Sequence, residues 1–391
     1  LINLTELEAS IKEAARRAAV IRKDLHRWPE LGNEEFRTAE RIRSELDQLG
    51  IRHKRFLATG VVGILKEEAG NRTVALRADM DALPIRETAI LPFASERKGL
   101  MHACGHDVHM AVLLGTAMVL GKNKEMINGN VKLIFQPAEE TTGGAARMIR
   151  KGCLEPKTDY IIGLHVKPDL PAGTIGIRFG KVHASSDTFR IIVLGKNSHG
   201  ASPEAGIDAI AAAAQIVSGI QSIVSRNVSP LDPAVITVGK IHGGKALNLI
   251  ADEVVLDGTI RALDHASRGF LKDRIRDFAR CTAKAYGAKA EVRFQKGYPV
   301  LVNDNLVVES IREALICTDG IEKVVELKEA TMGVEDFAFF LERVPGAFFF
   351  LGSGYRGREN EGIHTGGFEV DEKCIAVGIR AEVMSVLKLL E

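Results

Sequence analysis

Short β-rich runs alternate with helical stretches up to about residue 184, the alternation then breaks, and after Pro299 it resumes. In the first part a helix fits residues 5–27, opened by the capping box Thr5-Glu6-Leu7-Glu8 and stopped by Pro29. A second fits residues 34–49, with Gly50 as its stop. Residues 61–65, 73–78, 130–135 and 160–164 read as strands, with helical patterns at 108–120 and 145–151 between some of them. This rhythm predicts an α/β layered domain with a largely parallel sheet. From about Ser185 the order becomes strand 187–194, helix 206–226, strands 234–241 and 253–261, helix 267–286 and strand 289–294. Such a β-α-β-β-α-β succession is that of a ferredoxin-like α+β unit. A helix at 306–316, strands at 323–327 and 347–351 and a closing helix from Asp371 then restore the first rhythm. The chain therefore reads as one α/β domain, residues 1–184 and 299–391, interrupted by a small α+β domain, 185–298. Chemistry-bearing residues on both sides of the interruption favour this over three consecutive units.

The charge pattern narrows the partners. With 52 basic and 51 acidic residues and no long block of either sign, neither nucleic acid nor an anionic membrane is expected. No run reaches the ~18 apolar residues of a membrane span. The start Leu1-Ile2-Asn3-Leu4 shows no secretory signal, though it lacks Met and a removed leader stays open. Five scattered cysteines make no disulfide framework, and a reducing cytoplasm fits them. Cys153, Cys281, Cys317 and Cys374 read as inert core thiols.

Cys104 stands apart. The stretch Met101-His102-Ala103-Cys104-Gly105-His106-Asp107-Val108-His109 holds three of the eleven histidines within eight residues, far more than even scattering would place there. Cys104 and His106, with a glycine between them, can turn two soft donors toward one cation. A histidine met alone is more often structural, but other donors stand in matching places. Strand 73–78 runs into Asp79-Met80-Asp81, strand 130–135 into Gln136-Pro137-Ala138-Glu139-Glu140, and strand 160–164 into His165. In open α/β sheets, sites gather beyond the carboxyl ends of strands, so one pocket can collect all three. Adjacent Glu139 and Glu140 point in different directions, leaving one free to bind metal and the other to handle protons.

The motifs Arg77-Ala78-Asp79-Met80-Asp81-Ala82-Leu83-Pro84, Met101 to His109 and Phe135 to Glu140 resemble those of the M20 metallopeptidase family. They are most similar to its amidohydrolase branch of hippurate hydrolases, aminoacylases and auxin–amino acid conjugate hydrolases, and the likeness covers nearly the whole chain. The resemblance implies a zinc-exopeptidase-like catalytic domain interrupted by a lid domain that pairs two subunits into a homodimer. It implies two divalent ions per subunit, of zinc, manganese, cobalt or nickel, held by Cys104, His106, Glu140, His165 and His364. Cys104 takes the place of a bridging aspartate in other branches, so its thiolate would span both ions. Asp81 matches the aspartate that orients a ligand from behind. Glu139 matches the general base. On the lid, His199 resembles a histidine that steadies the substrate carbonyl of the neighbouring subunit, and Asn248 and Arg261 resemble residues that hold the substrate carboxylate. Arginine suits that task because its planar fork matches a carboxylate.

Two departures from the pattern stand out. Asp79 replaces a histidine ligand of other branches, with His106 in compensation. His364 is followed by Thr365-Gly366-Gly367-Phe368 where His-Asn-Pro is usual. His102 and His109 are not expected as ligands, and no role attaches to Gly333-Val334-Glu335-Asp336-Phe337. The function expected is hydrolysis of the amide of an N-acyl amino acid. The alternatives are a dipeptidase or carboxypeptidase of the same family and a non-catalytic metal-binding protein on the same fold, from which the retained Glu139 argues away.

Overall fold

A computed structural model describes residues 4–68 and 71–391; of the start on which the leader expectation rests, Leu1, Ile2 and Asn3 lie outside them. Two compact units emerge: the segment ending at Gly180 with Val302–Lys328 and Asp336–Glu391, and Lys181–Leu301 with Glu329–Glu335. The second unit thus recruits a late segment that carries no strand pattern. It is held by backbone bonds from Ala184 N to Thr331 O (3.1 Å) and Gly333 O (2.9 Å), which no side-chain periodicity announces.

The first unit is built on an eight-stranded mixed sheet. Its strands lie in the order Arg52–Phe56, Gly60–Lys66, Asn130–Gln136, Thr73–Asp79, Tyr160–Pro171, Gly346–Gly354, Thr174–Ile177 and Lys323–Glu326. The central pairings, Thr73–Asp79 with both neighbours and Tyr160–Pro171 with Gly346–Gly354, are parallel, and antiparallel pairs lie toward the margins. Thr73–Asp79 and Asn130–Gln136 are buried along their whole length, which is why both are mainly apolar without strict alternation, Arg77 and Lys132 being the charged residues inside them. The helix His106–Lys122 is buried on almost every face between the helices Leu4–Arg27 and Lys373–Leu389, as its uniformly apolar sequence requires. Register places Asp79 opposite Gln136, both at their strand ends, and His165 opposite Phe350. The strand expected to stop before His165 runs on to Pro171, so His165 lies in mid-strand, paired in the ladder with the neighbouring strand.

The second unit is an antiparallel sheet ordered Lys289–Lys296, Ser185–Leu194, Glu253–Ala262 and Ala234–Gly243. Helices Ala209–Asn227 and His265–Ala285 join these strands and cover one face, each capped by an aspartate, Asp208 and Asp264, that accepts backbone N–H bonds. Ile191, Val193, Ile216, Leu256 and Ile275 fill the layer between. In chain order the unit is β-α-β-β-α-β.

Three expectations change. The first helix already includes Leu4, so Thr5 sits inside its first turn rather than capping it. Cys281 and Cys317 are exposed, not core thiols: one faces solvent from a helix with a single buried stripe, the other follows a helix end. The strand Arg52–Phe56 escapes detection because it is a charged margin strand with one buried residue.

Glu382, buried in the helix Lys373–Leu389, accepts a 2.7 Å bond from Thr116 Oγ1. Burial pushes its carboxyl up to about 8, against the lowering by Thr116. The folded chain therefore holds this proton more tightly than the unfolded one. Its contribution is complete below about pH 4.5 and is lost as pH rises through 8, a cost on the order of 5 kcal/mol. Glu382→Gln, which keeps the acceptor without the charge, is expected to match the parent Tm near pH 5 and exceed it above pH 8. Parallel Tm curves across that range would refute it.

Candidate metal centre

Gly105 stands between Cys104 and the helix His106–Lys122 with φ 83°, a left-handed conformation that reverses the chain and lets both side chains face one side. A Cβ there would also lie 2.4 Å from Val166 Cγ2, beside His165. The turn thus needs glycine twice over, for conformation and for space. The Cys104 thiol lies 3.3 Å from His165 Nε2 and 3.2 Å from His364 Nε2. His364, itself left-handed at φ 63°, reaches this point on a loop tied back by its own N–H to Ala103 O at 2.8 Å. Glu140 Oε1 lies 3.0 Å from His364 Nε2. Donor atoms of Cys104, His106 and His165 fall within 4.8 Å of one another, and so do those of Cys104, Glu140 and His364. The two triples share one atom, the sulfur. His106, Glu139 and Glu140 form a further group of the same compactness.

The electrostatics ask for cations. Among the described residues neither ring nitrogen of buried His106 makes a hydrogen bond, the carboxylates of Asp79 and Asp81 standing off at 3.6 and 3.4 Å. A buried polar atom left so costs about 1–3 kcal/mol. Burial alone would lower His106, but Asp79, Asp81 and Glu140 outweigh it and push the imidazole up to about 10. The same surroundings push the Cys104 thiol well up, through burial first and then Glu140, Glu139 and Asp79. Burial and His109 push His165 down, toward the neutral form that can donate a lone pair. The sulfur, imidazole and carboxylate donors fit divalent ions of borderline character.

Behind these atoms stands a buried support. Asp81 accepts the N–H groups of Glu139 (3.1 Å) and Glu140 (3.0 Å) and lies 3.4 Å from His106 Nδ1, so one carboxylate orients all three. Ala138, just before the pair, is held at φ 58°, a strained conformation for a side chain and of a kind that clusters at functional sites. His109 is not among the Cys104-sharing donors. Its Nδ1–H donates to Asp79 Oδ1 at 2.6 Å and its Nε2 accepts from Val166 N at 3.0 Å, which defines the tautomer. His102 is buried with neither nitrogen bonded and is pushed down to about 3 by burial. His26 takes part in a buried network with Asp107 and Glu87, a role no local pattern marked.

His199, Asn248 and Arg261 belong to the second unit. Gly200 N donates to Asn248 O at 2.7 Å, so the His199 and Asn248 segments lie side by side, both exposed. Arg261 alternates with the core residues Ile260 and Ala262 and projects from the sheet face away from the helices. Its Nη1 is buried without a partner.

The model of the family described as "Peptidase family M20/M25/M40" matches residues 75–387. The chain belongs to this family. Among M20 relatives, an N-acetyl-L-cysteine deacetylase of Bacillus subtilis is 41% identical over 96% of this chain and 86% of its own length. Thermostable carboxypeptidase 2 of Saccharolobus solfataricus is 40% identical over 98% of both chains. The crystal structure of a Bacillus subtilis dinuclear metal-binding peptidase of the M20 family superposes with a TM-score of 0.86 at 36% identity, covering 97% of this chain and 99% of that one. This M20 chain is accordingly a hydrolase of amide bonds with candidate metal-ligand groups. Nearly equal identity to a deacetylase and a carboxypeptidase leaves substrate choice to the residues themselves. No helix among the described residues is long and apolar enough to cross a membrane.

Proposed function

We propose that the chain hydrolyses the amide bond of N-acyl amino acids with two divalent metal ions. The observation that carries this reading is the pair of donor triples meeting at the Cys104 sulfur, with Glu139 beside them. Cys104, His106 and His165 would hold one ion, Cys104, Glu140 and His364 the other. Bound there, the ions supply Lewis acidity for the amide carbonyl and lower the pKa of a water. The Glu139 carboxylate takes the water's proton and returns it to the departing nitrogen. Asp81 keeps Glu139 and Glu140 at their stations through their N–H groups. Arg261, with its unbonded buried Nη1, offers the fork for the substrate's carboxylate, and Asn248, beside the His199 segment before the other end of that strand, a second polar contact.

The second unit acts as a lid and pairs two subunits into a homodimer. Its margin strand Ala234–Gly243 is long and solvent-facing, with Ile241 57% exposed, and the connection after it exposes Leu247 fully. Such an edge is a template for another strand. His199 would then serve the neighbour's pocket, donating to the carbonyl oxygen as charge builds on it.

A metal-reconstituted screen decides the substrate class. Acetyl, benzoyl and longer acyl amino acids are expected to turn over, dipeptides and carboxylate-free amides far more slowly. Arg261→Lys, which keeps the charge but not the fork, should lower kcat/KM for acyl amino acids by about tenfold or more. Faster turnover of dipeptides would favour the peptidase reading instead, which the likeness to a carboxypeptidase supports. Absence of turnover with every metal would leave a metal-binding protein.

A further inference from the structure

We infer that Asp336 is a positioning residue for Glu139, clamped by Arg77, Gln136 and the Ala145 N–H; the inference rests on Glu139 being the proton carrier. Asp336 is fully buried. Its carboxylate accepts from Arg77 Nη2 at 2.8 Å, from Gln136 Nε2 at 2.9 and 2.8 Å, and from Ala145 N at 3.0 Å. Arg77 is in turn fixed by Nε–H to Gln136 Oε1 (2.9 Å) and by Nη1 to Asp79 Oδ2 (2.7 Å). Charge balance alone does not require this arrangement, since Arg77 already pairs with Asp79. What the additional donors accomplish is to hold the Asp336 backbone. Phe337, the next residue, packs under the Arg77 guanidinium (5.9 Å) and against Phe348 (5.4 Å), which prevents the segment from turning.

The held backbone N–H of Asp336 donates to Glu139 Oε1 at 3.3 Å. Glu139 follows the strained Ala138 and lies in neither helix nor strand. Its side-chain rotations are therefore not restrained by a regular element, and fixing a long glutamate side chain carries an entropy cost. The Asp336 N–H meets part of that cost in advance by holding one oxygen in place. Arg77 thus joins two supports with one planar group: Asp79 and His109 behind the histidine donors, and Asp336 behind the base.

The test is a double-mutant cycle in the metal-loaded enzyme, with kcat, KM and bound metal measured for Asp336→Asn, Glu139→Gln and the double variant. Asp336→Asn should lower kcat about ten- to a hundredfold, leave KM and metal content unchanged, and add nothing to Glu139→Gln. A merely structural role would slow the Glu139→Gln background by the same factor again, or release metal in step with activity, and either result overturns the inference. If Asp336→Asn does not fold, Gln136→Met removes one donor to the same carboxylate and should show the same non-additive pattern at smaller size. Wild-type kcat in Gln136→Met would then count against the clamp. A Glu139→Gln enzyme that keeps its rate would instead refute the assignment of the base, a failure separate from that of Asp336.

Discussion

Cys104→Ala is expected to lose both metal positions together and to be inactive. Each donor triple keeps two of its three members, but the shared one is gone, and with it the thiolate whose negative charge both ions would use. The loss of metal affinity should exceed the about 10–100-fold that follows removal of an outer partner of a ligand. Elemental analysis after dialysis, read beside turnover, measures both effects. A variant that retains two ions per chain and full turnover would show that Cys104 is packing, not ligand.

The second large effect separates the adjacent carboxylates. Glu139→Gln should keep its metals and lose about 10²–10⁴ in kcat, the range of a general base. Glu140→Gln should lose metal as well, because Glu140 Oε1 is the atom that reaches His364. The reverse pattern would exchange their roles. Inactive Glu139→Gln also reports on the subunit arrangement. Mixed with His199→Ala under conditions that exchange subunits, it should regain about a quarter of wild-type activity if His199 serves its neighbour, since half the dimers are mixed and each has one complete pocket. No recovery after confirmed exchange would assign His199 to its own subunit.

Asp79 at its strand end and Glu139 just beyond one were legible because each follows a run buried on both faces, and such runs are conspicuous in composition, whereas the strand through His165 continues to Pro171 and its true end was not. The change of rhythm near Ser185 was legible for the opposite reason, since antiparallel strands with one covered face alternate. Cys104 and His106 announced themselves by clustering. What stayed hidden depends on distance along the chain or on backbone. Arg77 and Asp336 were both seen in motifs, yet 259 positions separate them, and no local spacing links an arginine to a carboxylate that far away. The N–H groups that Asp81 collects belong to the main chain, which has no letter in a sequence. Arg52–Phe56 carries too much charge to be read as a strand until its partner Gly60–Lys66 is in place.

The interruption by the second unit has a consequence in time. Cys104, His106 and His165 all precede it in the chain, whereas His364 follows it. A growing polypeptide therefore possesses every donor of one triple well before the last donor of the other has been made. At about 5–20 residues per second, the two hundred or so residues between them take on the order of 10–40 s to synthesise. For that interval the shared thiol belongs to one position only. The two metal positions, close neighbours in the finished protein, come into existence in a set order.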